Sequence, residues 1–225
     1  IARLEQLSGS AVDARRGSRN DATAAAQGID SFGRHTQLTF DNFEAARLEP
    51  IGDERPPETA LRWYSRIRAQ ESAARHDASA LLLVGETGRG KTHLAAALGN
   101  LAAADGRRVM LLNELAYLQA AWRLPLDELQ QLVYVATHRA WLLIIDDLGK
   151  RAVGNAVGAI QNAYYELLAP RLERGGFTIC TSEYDLGALV ARGTLNEALH
   201  GRLYAAAQGR EVRCNGANVR LEVRS

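Results

Sequence analysis

The sequence predicts an α/β fold in which a parallel sheet, flanked by helices, is assembled around a phosphate-binding loop. Three observations predict it. The apolar run Ala80-Leu81-Leu82-Leu83-Val84 leads straight into Gly85-Glu86-Thr87-Gly88-Arg89-Gly90-Lys91-Thr92, and a helix-forming run from His93 to Leu98 follows. A second apolar run, Trp141 to Ile145, delivers Asp146 and Asp147 at its carboxyl end. A third, Phe177 to Cys180, exits on the hydroxyls of Thr181 and Ser182. Wholly apolar strands are buried on both faces, as in parallel sheets, and ligands sit at the carboxyl ends of such strands.

The elements follow in chain order. Residues 1–37 are rich in Ala, Ser, Gly, Asp, Asn and Arg, with few large apolar groups after Leu7. They have little surface to bury, so a mobile arm or the remnant of a partner-binding domain is expected there, set apart from a single domain over 38–225. In Leu38-Thr39-Phe40-Asp41-Asn42-Phe43 two aromatics flank a turn-forming pair. This stretch reads either as a hydrophobic anchor or, through Phe43, as a contact on the adenine side of a nucleotide. Pro50, Gly52, Pro56 and Pro57 mark a loop, and Glu58 to about His76 has helical periodicity.

Beyond the first strand and its loop, a helix from about Thr92 to Ala104 stops at Asp105-Gly106. Arg107 to Leu112 reads as a strand, Glu114 to about Ala121 as a helix broken by Pro125, and Leu126 to Arg139 as a further helix. Trp122 and Arg123 sit at the break. They read as a core aromatic beside a solvated charge, or as a surface that stacks on a base and grips a single-stranded backbone. Gly154 to about Glu173 is mostly helical with a break expected near Pro170, and Gly175-Gly176 turns the chain into the third apolar strand. Leu186 to Ala206 is helical with a break near Gly193; Glu211–Cys214 and Val219–Val223 predict one or two closing strands joined by a turn.

The chemistry lies in the loop and at the strand ends. Gly85, Gly88 and Gly90 let the backbone curl until its N–H groups face an oxyanion. Lys91 sets a point charge toward the β- and γ-phosphates, Thr92 offers a hydroxyl to Mg²⁺, and the following helix adds its positive end. Asp146 is placed to hold the Mg²⁺, and Asp147 to orient or deprotonate a water that attacks the γ-phosphate. The hydroxyls of Thr181 and Ser182 are either solvated strand ends or sensors of that phosphate. ATP and Mg²⁺ are the expected cofactors.

Composition excludes several classes. Charges nearly cancel, at 27 Lys+Arg against 26 Asp+Glu, so nucleic-acid contact must come from local patches. Cys180 and Cys214 match no metal-ligand spacing and no disulfide framework, which fits a reducing cytoplasm. No run approaches the ~18 apolar residues of a membrane span. His35, His76, His93, His138 and His200 are scattered without metal or triad spacing.

Taken together, Phe40-Asp41-Asn42-Phe43, the loop Gly85 to Thr92 with His93-Leu94-Ala95, Leu143-Ile144-Ile145-Asp146-Asp147-Leu148-Gly149 and Thr181-Ser182 resemble one family. It is that of the DnaC/DnaI-type bacterial helicase loaders and their IstB-type transposition relatives, AAA+ ATPases of the DnaA clade. The resemblance runs from about residue 38 to the end. It implies an AAA+ core without a C-terminal helical lid, and a strand ending at Thr181-Ser182 between the phosphate-loop strand and the acidic strand. It implies ATP hydrolysis in a homo-oligomer, with single-stranded DNA and a replicative hexameric helicase as partners, or a transposase on duplex DNA. Cofactor contacts fall on Gly85 through His93 and on Phe43. Arg202, in Leu199-His200-Gly201-Arg202-Leu203, matches the family's arginine finger, which acts in trans on a neighbour's nucleotide; Arg171 is a weaker candidate for a contact across subunits. Glu183 stands where the family carries a sensor Asn. A carboxylate there repels ATP unless it turns away, which leaves open a weakly hydrolysing switch.

Overall fold

The structure is a computed structural model that describes residues 29–43, 48, 55–70, 78–151 and 154–216. Its elements are α1 (Pro56–Ala69), β1 (Ala80–Val84), α2 (Lys91–Ala104), β2 (Val109–Asn113), α3 (Glu114–Arg123), α4 (Leu126–Tyr134), β3 (Leu142–Leu148), α5 (Val157–Glu173), β4 (Phe177–Ser182), α6 (Leu186–Ala191), α7 (Glu197–Ala206) and β5 (Val212–Arg213). A five-stranded sheet runs in the order β2-β3-β4-β1-β5, and every pair is parallel. β4 therefore lies between the glycine-loop strand and the acidic strand, as the resemblance implied.

The apolar runs form strands because both faces of the sheet are covered. Leu81 and Leu83 point to one face, with Leu111, Ile144 and Ile179, and meet Trp63, Ile67, Leu94 and Leu98 of α1 and α2. Leu82, Leu112, Leu143 and Ile145 point to the other and meet Tyr117, Leu132, Tyr164 and Leu168 of α3, α4 and α5. Each fully buried Leu or Ile contributes about 1.5–3 kcal/mol relative to exposure, so strand alternation feeds two cores at once.

Several expectations are corrected. α5 runs unbroken through Pro170. Proline deletes the hydrogen bond to the carbonyl of Glu166, but Glu166 and Pro170 both face solvent, where water takes over, while Leu167, Leu168, Ala169 and Leu172 anchor the buried side. The closing strand β5 pairs parallel with β1; Val219–Val223, the second closing strand the sequence suggested, lie outside the described residues, as do 71–76 of the predicted first helix and the Pro50-Gly52 loop. The α4 helix ends in a π-helical turn, Val135–Arg139.

Residues assigned by composition to the arm are partly docked. Asp30 Oδ1 accepts the N–H of Leu111 at 2.9 Å, the Ser31 N–H donates to the Leu111 carbonyl at 2.9 Å, and a 3₁₀ turn, Phe32–His35, sets the Phe32 ring against Gly99 of α2. Residues 1–28 lie outside the described part of the chain.

Candidate nucleotide site

At the carboxyl end of β1 the chain enters the glycine loop. Gly85 takes φ +152° and comes so close to the Cys214 carbonyl that no Cβ fits there. Gly90 takes φ +76° and starts α2 from a left-handed conformation; a Cβ on it would sit 2.8 Å from the Phe43 ring. Lys91 opens the helix nearly buried, and its Nζ donates to the carbonyls of Gly85 at 2.5 Å and Glu86 at 2.8 Å. Burial pushes its pKa down, while the Cys214 thiol and the carboxylates of Glu183, Asp147 and Asp146 hold it up.

Three oxygen groups from three elements converge. Thr92 Oγ1 of α2 and Thr181 Oγ1 of β4 both donate to Asp146 Oδ1 of β3, at 2.8 and 2.7 Å. The β3–β4 register shifts between Ile145 and Leu148, so the acidic pair sits on a bulge. Asp147 there has φ +63°, a left-handed conformation that Asp tolerates better than most residues, and its N–H donates to Thr181 Oγ1 at 3.0 Å. The two carboxylates thus diverge: Asp146 is buried among hydroxyls, and Asp147 Oδ2 pairs with Lys150 Nζ at 2.9 Å. This all-oxygen set of hydroxyl and carboxylate is the donor chemistry of a small hard cation such as Mg²⁺.

Other predicted residues fall elsewhere. The Ser182 hydroxyl donates to the Leu148 carbonyl at 2.7 Å and accepts the Tyr184 N–H at 3.0 Å, so it ties β4 to β3. Glu183 accepts from the Thr87 hydroxyl, which turns its carboxylate onto the loop tip. Glu86 and Arg89 pair with each other at 2.6 Å, and Arg89 also donates to the Gly216 carbonyl. Beside them opens a cavity of about 360 Å³, lined by Glu86, Arg89, Glu183, Asp185, Arg213 and Asn215 among others. His93 Nε2 lies 2.9 Å from the Thr39 carbonyl and 3.0 Å from Asn42 Oδ1, and its ring meets Phe43 edge-on at 5.0 Å. Residues 39–43 therefore anchor the chain on the first turn of α2.

Arg202 lies on α7, where its guanidinium donates to Glu173 Oε1 at 3.0 and 3.2 Å and covers the Tyr165 ring at 5.4 Å. Arg171 is a correction. It is 1% exposed and cannot reach a neighbouring subunit; its guanidinium donates to the carbonyls of Ala136, Thr137, Ala140, Trp141 and Phe177 and to Thr178 Oγ1. Trp122 is no core aromatic: it is 41% exposed, with the Arg151 guanidinium stacked 4.4 Å from its ring centre and Arg123 beside it in the chain.

Two contributors escaped the sequence reading. Glu114, buried at the start of α3, accepts the N–H groups of Gly149 and Arg151, each at 2.7 Å, and the Tyr164 hydroxyl at 2.8 Å, so it fixes the loop leaving β3. The signal was a carboxylate placed directly behind an apolar strand. Lys150 gave no signal beyond its place three residues past Asp147.

A parallel sheet in this order, with a glycine loop on β1 and an acidic pair on β3, defines a P-loop nucleotide-binding core with the AAA+ fold. The particular family follows from sequence: the model for IstB-like ATP-binding proteins matches residues 69–225, and the chain belongs to that family. Among solved structures it is similar to DnaI, with a TM-score of 0.61, 18% identity and coverage of 83% of this chain and 92% of that one. It is also similar to the DnaC helicase loader, at TM-score 0.58, 18% identity and coverage of 81% and 99%. The replication initiator DnaA bound to AMPPCP and single-stranded DNA aligns at TM-score 0.59 and 19% identity, covering 83% of this chain but 52% of that one. No curated protein sequence matches. Among the described residues no helix is long and apolar enough to cross a membrane.

Proposed function

We propose that the protein is a Mg²⁺-dependent ATPase of DNA replication that binds single-stranded DNA and helps to load a replicative hexameric helicase in the cytoplasm, working as a nucleotide-dependent homo-oligomer. The observation that carries the reading is the convergence of Thr92, Asp146 and Thr181 beside the Lys91 loop, with Asp147 on the adjoining bulge. Thr92 and Asp146 would hold the metal, which supplies charge neutralisation for the phosphates. The N–H groups of Gly85 to Thr92 cradle phosphate, and Lys91 exchanges its carbonyl partners for phosphate oxygens. Asp147 orients the attacking water, and Thr181 keeps both carboxylates in register. Arg202 then leaves Glu173 and completes a neighbour's site, where it stabilises charge on the transferring group.

The loader role is supported by the DnaI and DnaC structural neighbours, and the DNA by the exposed Trp122 and Arg123 with the half-buried Arg151, which combine a stacking face with cations. A second reading, an ATPase that helps a transposase choose its target on duplex DNA, is favoured by the IstB-like family match.

ATP turnover of wild type, Lys91→Ala and Asp147→Asn, together with pull-downs against helicase and transposase, tests the proposal. Wild type should exceed both variants, and Arg202→Ala mixed with Asp147→Asn should regain some activity through shared sites. ATP binding with turnover no faster than Lys91→Ala would leave a nucleotide switch, with Glu183 on Thr87 as its simplest cause. Capture of the transposase alone would remove the loader role.

A further inference from the structure

The loop that leaves β3 is pinned on both sides of Lys150. Gly149 and Arg151 each give an N–H to the buried Glu114, and between them the Lys150 side chain reaches back to Asp147 Oδ2 at 2.9 Å. That oxygen is one of the two with which Asp147 must accept a hydrogen from attacking water. Asp147 has little freedom to turn its backbone away, because its φ of +63° is fixed by the N–H bond to Thr181. The adjustable member of the pair is Lys150, a compact charge on a flexible stem whose side chain is 51% exposed.

We infer that Lys150 is a positioning residue that holds Asp147 in an unproductive ion pair, and that single-stranded nucleic acid on the Trp122–Arg151 surface draws Lys150 off and releases it. The inference rests on the ATPase reading above and adds its regulation. The geometry links the two sites through one residue: Arg151, stacked 4.4 Å over the exposed Trp122 ring, follows Lys150 directly in a loop whose backbone Glu114 holds. A phosphodiester strand that follows Arg123 and Trp122 to Arg151 would bring anionic oxygens to the residue next to Lys150 in the chain, where they would compete with Asp147 for its ammonium. The competition is balanced finely because an ion pair this exposed is weak. A buried pair would not yield to a surface ligand.

The test is steady-state ATP turnover of the full chain for wild type, Lys150→Met and Lys150→Arg, each with and without poly(dT), with thermal melts as a check of folding. Lys150→Met should raise basal turnover by about twofold to fivefold at unchanged KM for ATP, the size expected for losing an exposed pair. It should respond little to poly(dT), whereas Lys150→Arg should keep the low basal rate and the response. A merely structural lysine would not move kcat upward. Lys150→Met with wild-type basal turnover and wild-type stimulation overturns the inference, and so does turnover below wild type, which would make Lys150 a participant in the reaction. If wild type itself binds ATP yet matches Lys91→Ala with and without poly(dT), the ATPase reading fails, and the lock falls with it. These outcomes are separable because the lock is read as a difference between active proteins.

Discussion

Replacing Arg171 by Met tests how the underside of the sheet is held. Six bonds would be lost, to the carbonyls of Ala136, Thr137, Ala140, Trp141 and Phe177 and to Thr178 Oγ1. Burial pushes the guanidinium pKa down to about 9, with Arg174 adding to the effect, yet at neutral pH the group remains charged. Hydrogen bonds to a charged donor each contribute about 1.5–3 kcal/mol. The cost of burying the ion offsets much of their sum, but the substitution strands the acceptors while the Met side chain fills only the apolar space. The expected loss is therefore about 4 kcal/mol, within the range for breaking a buried charged contact from one side. For a domain of this size that corresponds to a Tm lower by about 8–16 °C. Urea and thermal denaturation followed by circular dichroism measure it, with size-exclusion chromatography in parallel. A loss below about 1 kcal/mol, the level of an ordinary surface change, would refute the assignment of Arg171 to the fold. It would do so with most force if subunit association were lost as well.

Two further outcomes follow from the site. Gly90→Ala should cost about 1–2 kcal/mol of stability through the left-handed conformation alone. It should also weaken nucleotide binding, measured by titration calorimetry, because the methyl meets Phe43 2.8 Å away at the mouth of the loop; unchanged affinity would mean the loop adapts. Burial pushes the thiols of Cys180 and Cys214 up to about 12 from an ordinary value of 9.0, with Lys91 working against this at Cys214. Both should resist iodoacetamide in the native protein at pH 8 until urea unfolds it. Because the folded state retains these protons longer than the unfolded chain does, the thiols' stabilising contribution is present below pH ~9 and is lost progressively up to about 12. Rapid labelling of the native protein, read by mass spectrometry, would contradict the burial.

What the sequence made legible follows from where the physics is local. Apolar runs such as Leu142 to Ile145 declare strands because burial on both faces needs nothing from distant residues except their presence. The spacing of Gly85, Gly88 and Gly90 ahead of Lys91 declares a curled loop because its backbone demands are contained in the loop. Arg171 and Glu114 were illegible for the opposite reason. Each looks like an ordinary helix-surface charge, and its role depends on acceptors and donors that tertiary folding brings up from 30 or more residues away, such as the carbonyl of Trp141 for Arg171 and the N–H of Gly149 for Glu114. Pro170 misled because its effect depends on which face of the helix loses the bond. Trp122 was undecided because exposure is a property of packing: the same aromatic reads as core or as surface until α3 and the loop after β3 are in place.

The docking of Asp30 and Ser31 on β2 bears on how one edge of the sheet is covered. β2 is the outermost strand of the sheet on its side, and an outermost strand offers a free row of donors and acceptors to any other chain that can align with it. Here the Leu111 N–H is taken by a carboxylate and its carbonyl by the Ser31 N–H, so the row is interrupted at its midpoint. A version of the protein trimmed to begin at residue 38 would keep every residue proposed to bind nucleotide and still present that strand uncovered. Self-association of such a trimmed chain would then reflect adhesion between sheets, and it should not be mistaken for assembly driven by ATP.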